Sequence, residues 1–190
     1  MTDKSNDSKS DVVILFSGGA DSVLMLELAI EFGMNPYCIL IDYSQLHREE
    51  LEFACKYLIS RNIDHQIVEI NGLGINSGLT GNGQKNESGD VHEMHVPGRN
   101  SIFLSIAYGI AESKNISTIW IGCDWSDLIN NFPDCKQIYL EKMNEAFKYA
   151  GPNPIKIEAP LIGLTKENVL KMLKQMGISD KDLFSGYGDL

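Results

Sequence analysis

Short apolar runs alternate with segments of helical periodicity along the chain. Apolar runs of the kind found in strands buried on both faces predict five strands, at 11–16, 37–42, 65–70, 118–122 and 155–159. Apolar residues at helical spacing predict helices at 23–32, 48–61, 101–113, 137–149 and 166–176. Strictly alternating strands and helices favour an α/β fold, a three-layer sandwich whose mainly parallel sheet is covered on both faces.

The domain organisation follows from the segments without such a pattern. Residues 1–10 are polar and charged and are expected to be a disordered N-terminal segment, so 11–190 is predicted to be a single domain. Residues 71–90 are rich in Gly, Asn and Ser. A loop of this length and polarity is predicted to be a mobile loop or a lid, and the pattern leaves open whether it closes over a ligand.

Composition narrows the classes of function. The 190 residues carry a formal net charge of −10 and no block of Lys or Arg, which argues against a direct nucleic-acid partner. No apolar run reaches the ~18 residues of a membrane helix, and the N-terminus has no apolar signal region. A cytoplasmic protein without a membrane partner is therefore expected, and the sequence leaves a homodimer open.

The sequence contains four cysteines, Cys38, Cys55, Cys123 and Cys135. None forms a C-x-x-C pair, and no two have zinc-knuckle spacing. Reduced thiols that pack as small core residues are expected, with Cys135 favoured as a packing residue over a reactive thiol. A metal pair formed by His92 and His95 is not expected, because no further ligand completes it.

The segment Ser17-Gly-Gly-Ala-Asp-Ser22 lies between the first predicted strand and the first predicted helix. Gly18 and Gly19 allow positive φ and close backbone approach, so consecutive N–H groups can point at an anion. The Ser17 and Ser22 hydroxyls can donate to phosphate oxygens, and Asp21 can cap the helix or help to hold Mg²⁺. The spacing differs from a Walker A loop and from G-x-G-x-x-G. The structural alternative is a simple strand-to-helix turn.

Phe16-Ser-Gly-Gly-Ala-Asp-Ser22 resembles the PP-loop of the N-type ATP pyrophosphatases, a superfamily that includes GMP synthetase, NAD synthetase, tRNA thiolases and 7-cyano-7-deazaguanine synthase. The resemblance implies an adenine-nucleotide α-hydrolase-like fold and ATP bound by its pyrophosphate end, with Mg²⁺. The implied ATP-binding residues are Phe16, Ser17, Gly18, Gly19, Ala20, Asp21, Ser22, Asp42, Tyr43 and Gly98.

Four further segments resemble the 7-cyano-7-deazaguanine synthase (QueC) family within that superfamily. They occur in family order and are Asp42-Tyr-Ser-Gln-Leu-His47, Val96-Pro-Gly-Arg-Asn100, Phe132-Pro-Asp-Cys135 and Leu164-Thr-Lys-Glu167. The resemblance implies substrate-binding roles for Gln45, His47, Arg99, Asn100, Phe132, Asp134 and Lys136. Asp124 is added as a substrate-binding candidate from its position after the fourth strand, although it departs from the family pattern. It implies catalytic roles for Asp21, Arg99, Asp134 and Lys166.

Several of these residues also have a structural interpretation. Arg99 follows Pro97-Gly98 at a predicted helix start, where its guanidinium can face phosphate or remain a surface charge. Asp124 and Asp127 follow the fourth strand and can bind Mg²⁺ or a purine-like base, or be solvated loop acids. Lys166 can neutralise phosphate, or the segment can simply begin a helix capped by Thr165.

The C-terminus departs from the family pattern. The family ends in a zinc-binding cysteine cluster, whereas Gly186 stands where its first cysteine would fall in Phe184-Ser-Gly-Tyr-Gly-Asp-Leu190. No structural zinc is expected, and the chain is interpreted as a divergent member. Packing or oligomerisation must then replace the stabilisation that the metal supplies.

The resemblance implies an ATP-dependent ligase that converts 7-carboxy-7-deazaguanine and ammonia, through an adenylated intermediate and the amide, to 7-cyano-7-deazaguanine with release of AMP and pyrophosphate. One alternative stops at 7-amido-7-deazaguanine for DNA modification. Others are a tRNA-thiolating PP-loop enzyme, disfavoured by the lack of cysteine pairs and basic surface, and a nucleotide-binding module without turnover.

Overall fold

Five parallel strands form the central sheet of the protein, which we analysed as a computed structural model describing residues 11–44, 48–73, 96, 98–130 and 132–184. The strands are β1 (Asp11–Leu15), β2 (Asn35–Asp42), β3 (His65–Glu69), β4 (Thr118–Trp120) and β5 (Lys156–Glu158). Their order in the sheet is β3-β2-β1-β4-β5, with every neighbouring pair parallel. The predicted sheet is confirmed.

Six α-helices connect or follow the strands in the described part of the chain. They are α1 (Ala20–Glu31), α2 (Arg48–Ser60), α3 (Arg99–Ser113), α4 (Trp125–Ile129), α5 (Gln137–Phe147) and α6 (Lys166–Gln175). Single-turn 3₁₀ helices lie at Pro133–Cys135 and Asp180–Asp182. Five of the six helices match the predicted ones within a few residues, and α4 was not predicted.

Alternating side chains of the strands divide the core into two layers. Val12 and Ile14 of β1 pack with α1, α2 and α6, while Val13 between them packs with α3 and α5. All three β1 side chains are fully buried. This period-two alternation, with helices on both faces, is the three-layer sandwich that the apolar runs predict.

The predicted element ends differ from the observed ones where the chain enters the site. Helix α1 begins at Ala20, three residues before the predicted start, and α3 begins at Arg99, two residues before it. Both extra segments are first turns that precede the apolar periodicity, so the pattern alone does not reveal them. Within the described residues, no helix has both the length and the apolar character needed to cross a membrane.

Candidate functional site

The candidate site lies where the chain reverses its direction across the sheet. From β1 the chain proceeds outward to β2 and β3, and it then returns to the other side of β1 to form β4 and β5. In open parallel sheets the crevice at the carboxyl ends of the strands at such a switch point is the usual ligand site. A cavity of about 380 Å³ opens there. It is lined by Leu15, Phe16, Ser17, Asp21, Ser22, Ile39, Ile41, Tyr43, Glu50, Leu51, Arg99, Asn100, Phe103, Ile121, Gly122 and Asp127.

The loop after β1 is built around two glycines that differ in conformation. Gly18 has φ +87°, a left-handed value that favours glycine, and a Cβ there would lie 3.0 Å from Ala54 Cβ. Gly19 instead is extended, with φ −74° and ψ 165°. The prediction of positive φ therefore holds for Gly18 and is wrong for Gly19. A Cβ at Gly19 would have only Ser17 Oγ within 4 Å, at 3.5 Å.

The loop amides have hydroxyl partners in this structure. The Gly18 N–H donates to Ser22 Oγ at 3.0 Å, and the Gly19 N–H makes a weaker contact with Ser17 Oγ at 3.4 Å. Ser22 in turn donates to the Gly19 carbonyl at 2.9 Å. An anion that binds to these amides must therefore replace serine hydroxyl oxygens, which are weaker acceptors than phosphate oxygens.

Helix α1 starts without a side-chain cap. Gly19 is its N-cap residue and contributes no side chain, and Asp21 lies in the first turn rather than at the cap, so the interpretation of Asp21 as the cap is wrong. An uncapped N-terminus presents unpaired N–H donors and the positive end of the helix dipole. Both features suit an anion at the mouth of the loop.

Lys166 connects the start of α6 with the first turn of α1. Its Nζ lies 2.5 Å from Asp21 Oδ2 and 3.9 Å from Asp124 Oδ2. Lys166 is the first residue of α6, whose N-cap Thr165 accepts from the Asn168 N–H, as predicted. Two carboxylates therefore share one ammonium, which is itself half exposed.

Each of these two acids keeps one oxygen atom that accepts no hydrogen bond within the described part of the chain. Asp21 Oδ1 and Asp124 Oδ2 are buried and accept no hydrogen bond from the described residues. Burial raises the pKa of Asp21 despite the opposing effect of Lys166, and the nearby Asp124 adds to the increase. Carboxylate oxygens that accept no hydrogen bond are ligands suited to a hard divalent cation.

Asp124 and Asp127 are cap residues of α4 rather than solvated loop acids. Asp124 Oδ1 accepts from the Ser126 and Asp127 N–H groups, and Asp127 Oδ2 accepts from the Asp124 N–H at 3.0 Å. Asp124 is only 2% exposed. This reciprocal capping box fixes both carboxylates at the carboxyl end of β4. Burial raises the pKa of Asp127.

Arg99 and Asn100 occupy the first turn of α3, on the far side of the sheet from α1. Arg99 Nη1 donates to the Tyr43 hydroxyl at 3.5 Å, and the Tyr43 ring packs against Phe103 with ring centroids 5.5 Å apart. The buried Asn100 amide donates to the Asp134 carbonyl at 3.4 Å and to Cys135 Sγ at 3.5 Å. Asn100 thereby ties α3 to the 3₁₀ turn that carries Asp134.

The structure brings only part of the predicted set to the cavity wall. Eight residues that the sequence indicated line it, namely Phe16, Ser17, Asp21, Ser22, Tyr43, Arg99, Asn100 and Asp127. The described residues that do not line it are Gly18, Gly19, Ala20, Asp42, Gly98, Asp124, Phe132, Asp134, Lys136 and Lys166. Gln45 and His47, like His92, His95 and Gly186, lie outside the described residues. Most of the loop at 71–90 and the segment 1–10 also lie outside them.

Several residues that line the cavity lie outside every motif recognised in the sequence. Ile39 and Ile41 of β2 and Ile121 after β4 face the cavity from the sheet, and Glu50 and Leu51 reach it from α2. Only their position in the chain could have indicated them, since residues at the carboxyl ends of the strands next to the switch point line the ligand crevice. Asp42, by contrast, accepts from the Ser44 N–H and stabilises the turn that follows β2.

Cys123, Asp127 and Cys135 form a cluster beside the cavity. One ligand-type atom from each lies within 4.8 Å of the other two. Cys123 and Cys135 are buried, as their interpretation as core residues requires. A hydrogen bond with Cys135, together with burial, raises the pKa of Cys123 far above its usual range.

Known proteins of one family are similar to this chain over most of its length. The family described as queuosine biosynthesis protein QueC matches residues 11–189. A 7-cyano-7-deazaguanine synthase of Psychromonas ingrahamii is 31% identical over 93% of this chain and 83% of its own length. A second, from Picrophilus torridus, is 35% identical over 92% of this chain and 77% of its own length.

Solved structures show the same fold at low sequence identity. The U34-tRNA thiolase NcsA from Methanococcus maripaludis, with its [4Fe-4S] cluster, aligns with a TM-score of 0.62 at 17% identity over 96% of this chain and 62% of its own. The NH₃-dependent NAD synthetase from Campylobacter jejuni aligns with a TM-score of 0.57 at 20% identity over 93% of this chain and 68% of its own. The fold is therefore the adenine-nucleotide α-hydrolase type of the PP-loop proteins.

Proposed function

The chain belongs to the QueC family of queuosine biosynthesis proteins, and from this premise we propose that it is an ATP-dependent ligase. Its substrates are 7-carboxy-7-deazaguanine and ammonia, and its product is 7-cyano-7-deazaguanine. The relatives from Psychromonas and Picrophilus carry the name of that synthase, which supports an enzyme of this type.

The proposed reaction uses two adenylations. The substrate carboxylate attacks the α-phosphate of ATP, so that a carboxyl oxygen–phosphorus bond forms and pyrophosphate leaves. Ammonia then attacks the acyl carbon, AMP leaves with that oxygen, and a proton is released to give the amide. The amide oxygen attacks the α-phosphate of a second ATP, so that a second pyrophosphate leaves. Loss of AMP and of the two nitrogen-bound protons then gives the nitrile. No side-chain nucleophile is required.

One observation carries this proposal: the loop after β1 and the first turn of α3 face the same cavity. Ser17 and Ser22 line it from the β1 side, and Arg99 and Asn100 line it from the α3 side. A cavity of about 380 Å³ is within the range of small-ligand sites. An in-line displacement at phosphorus needs phosphate-binding groups and a positioned nucleophile at opposite ends of one site.

The charged residues have separate roles in the proposal. The loop amides and the N-terminus of α1 bind the β- and γ-phosphates, and the Arg99 guanidinium balances negative charge at the reacting end. Lys166 stays beside Asp21 at the pyrophosphate end. Such preorganised groups stabilise charge that develops in the transition state.

The residues present also fit a magnesium ion. Asp21 Oδ1 and Asp124 Oδ2, which are buried and accept no hydrogen bond from the described residues, are the oxygen ligands proposed for it. When bound, Mg²⁺ supplies neutralisation of phosphate charge. Capping of α4 holds Asp124 in place through its other oxygen, so that Oδ2 remains directed at Lys166 and Asp21.

For the deazaguanine we propose a site around Asn100, Phe132, Asp134 and Lys136, next to the first turn of α3. Asn100 contacts the Asp134 carbonyl, which places the 3₁₀ turn against that helix. The proposal also includes Gln45 and His47 as substrate-binding residues. Free ammonia is the proposed nitrogen donor.

Product analysis tests the function. The protein is incubated with ATP, Mg²⁺, ammonia and 7-carboxy-7-deazaguanine, and AMP, pyrophosphate and the product mass are measured. We expect AMP and pyrophosphate in equal amounts, and a nitrile whose mass differs from the amide by one water. Accumulation of the amide alone would show an enzyme that stops one step earlier, and no AMP with all substrates present would contradict a ligase. A reaction without ammonia is the control.

A further inference from the structure

The connection between β4 and α5 brings two thiols and a carboxylate together. Cys123 follows β4, Asp127 lies on α4, and Cys135 ends the 3₁₀ turn before α5. Their candidate ligand atoms lie within 4.8 Å of one another. The proposed ligase reaction assigns no role to either thiol.

We propose that Cys123, Asp127 and Cys135 bind a zinc ion. Thiolates together with a carboxylate form a donor set that zinc accepts, and magnesium and calcium prefer oxygen donors alone. In tetrahedral coordination the ligand atoms lie about 3.3–3.8 Å apart, given zinc–sulfur distances near 2.3 Å and zinc–oxygen distances near 2.1 Å. The observed cluster, whose ligand atoms lie within 4.8 Å of one another, therefore needs a contraction of at most about 1–1.5 Å to reach this geometry.

The surroundings of the sulfurs fit a metal-bound thiolate. Cys123 is 1% exposed and Cys135 is 7% exposed. The Asn100 amide already donates to Cys135 Sγ at 3.5 Å. Hydrogen bonds of this kind orient ligands and stabilise the charge that a thiolate brings to the metal.

Asp127 is held in place without using all of its donor capacity. One of its oxygens, Oδ2, accepts from the Asp124 N–H in the capping box of α4. A carboxylate has two oxygens and about four lone-pair sites, so it can accept this bond and still bind a metal. Asp127 also lines the cavity, so the fourth position of a tetrahedral site is left for water or a ligand on that side.

These residues are not the ones on which the expectation of no structural zinc depends. That expectation concerned the C-terminal cysteine cluster, and the new site uses different residues within the connection from β4 to α5. The site does not depend on the proposed ligase activity, because metal binding can be measured without ATP or deazaguanine.

Cobalt provides a direct probe. Metal-free protein, kept reduced with a phosphine, is titrated with Co²⁺ in excess Mg²⁺, which occupies sites built from carboxylates alone. We expect one Co²⁺ per chain with thiolate-to-cobalt charge-transfer absorption, and displacement by one equivalent of Zn²⁺. This absorption reports sulfur ligation, so histidine or carboxylate binding elsewhere does not produce it.

Variants identify the ligands. Cys123→Ser and Cys135→Ser should each abolish the charge-transfer band, and Asn100→Ala should weaken zinc binding by about tenfold or more. Asp127→Asn keeps an oxygen acceptor for the α4 cap and should also weaken zinc binding. Cys55→Ser, which removes a half-buried thiol on α2, is the matched control and should bind like the parent.

Three results would overturn the proposal. The first is a parent protein that shows no sulfur-ligated Co²⁺. The second is an unchanged charge-transfer band in both Cys123→Ser and Cys135→Ser. The third is a Cys123–Cys135 disulfide, found by peptide mapping, in freshly purified protein that takes up metal neither before nor after reduction.

Discussion

Alanine substitutions at Gly18 and Gly19, in the loop after β1, should have different effects: one should lower stability and the other should weaken ATP binding. Gly18→Ala forces a Cβ into a left-handed conformation, at φ +87°, which costs roughly 1–2 kcal/mol. The new methyl also lies 3.0 Å from Ala54 Cβ and 3.3 Å from Ala54 Cα, so α2 must shift. Overpacking of this kind costs about 1–3 kcal/mol.

The expected loss for Gly18→Ala is therefore about 2–5 kcal/mol, from the sum of these two costs. For a domain of this size, that corresponds to a fall in Tm of roughly 4–20 °C. Gly19→Ala should behave differently, because φ −74° and ψ 165° suit any residue and the methyl meets only Ser17 Oγ, at 3.5 Å. Its stability should remain within about 1 kcal/mol of the parent.

Gly19→Ala should instead weaken ATP use. If phosphate oxygens lie against the loop, a methyl at Gly19 displaces them and removes at least one hydrogen bond to a charged oxygen, worth about 1.5–3 kcal/mol. The resulting decrease in kcat/KM for ATP is roughly 10- to 150-fold.

Urea unfolding and AMP release are measured on both variants. Parent-like kcat/KM in a folded Gly19→Ala protein would refute the placement of phosphate against this loop. Equal stability of the two variants would refute the conformational argument for Gly18.

Three further substitutions test the charged groups, each by AMP release and urea unfolding. Arg99→Lys keeps the charge but loses the planar fork, and kcat/KM should fall about tenfold or more with unchanged stability. Lys166→Met removes the ammonium beside Asp21 and should lower AMP formation strongly. Its stability should change by about 1 kcal/mol or less, because the ion pair is partly exposed. The control Lys174→Met, in the last turn of α6, should change neither AMP formation nor stability. Asp124→Ala removes the α4 cap and should cost about 1–2 kcal/mol of stability.

The sheet and its helices could be predicted because their signals are local. Val12, Val13 and Ile14 form a continuous apolar run, and all three are buried because helices cover both faces of β1. The glycine pair after this strand marks a backbone that must turn sharply, and Gly18 does so. Such features depend on residues only a few positions apart.

The missed element shows the limit of periodicity. Helix α4 has five residues, too few for a 3.6-residue repeat to be recognised. A capping-box pattern was available, since Asp124 is followed three positions later by Asp127, and the two acids cap each other's backbone in the structure. The sequence interpretation of these two acids as metal or base ligands, or as solvated loop acids, did not include this capping role.

Contacts between distant parts of the chain could not be predicted from local patterns. Asp21 and Lys166 are separated by 145 positions, and only the packing of α6 against α1 brings them together. Cys123 and Cys135 meet because the connection between β4 and α5 folds back over α4. In both cases the chemistry depends on tertiary distance, which residue spacing does not encode.

The charge balance around Asp21 supports the proposal that a divalent cation accompanies the nucleotide. Asp21, Asp124 and Asp127 interact electrostatically with one another, and Lys166 is the ammonium that acts on this group. We expect a polyphosphate beside these carboxylates to meet repulsion, which Lys166, the N-terminus of α1 and the Arg99 guanidinium on the other wall of the cavity offset. The two buried oxygens that accept no hydrogen bond from the described chain, on Asp21 and Asp124, are where a divalent cation would remove the remaining repulsion. These acids therefore support the proposal that ATP binds together with a metal ion.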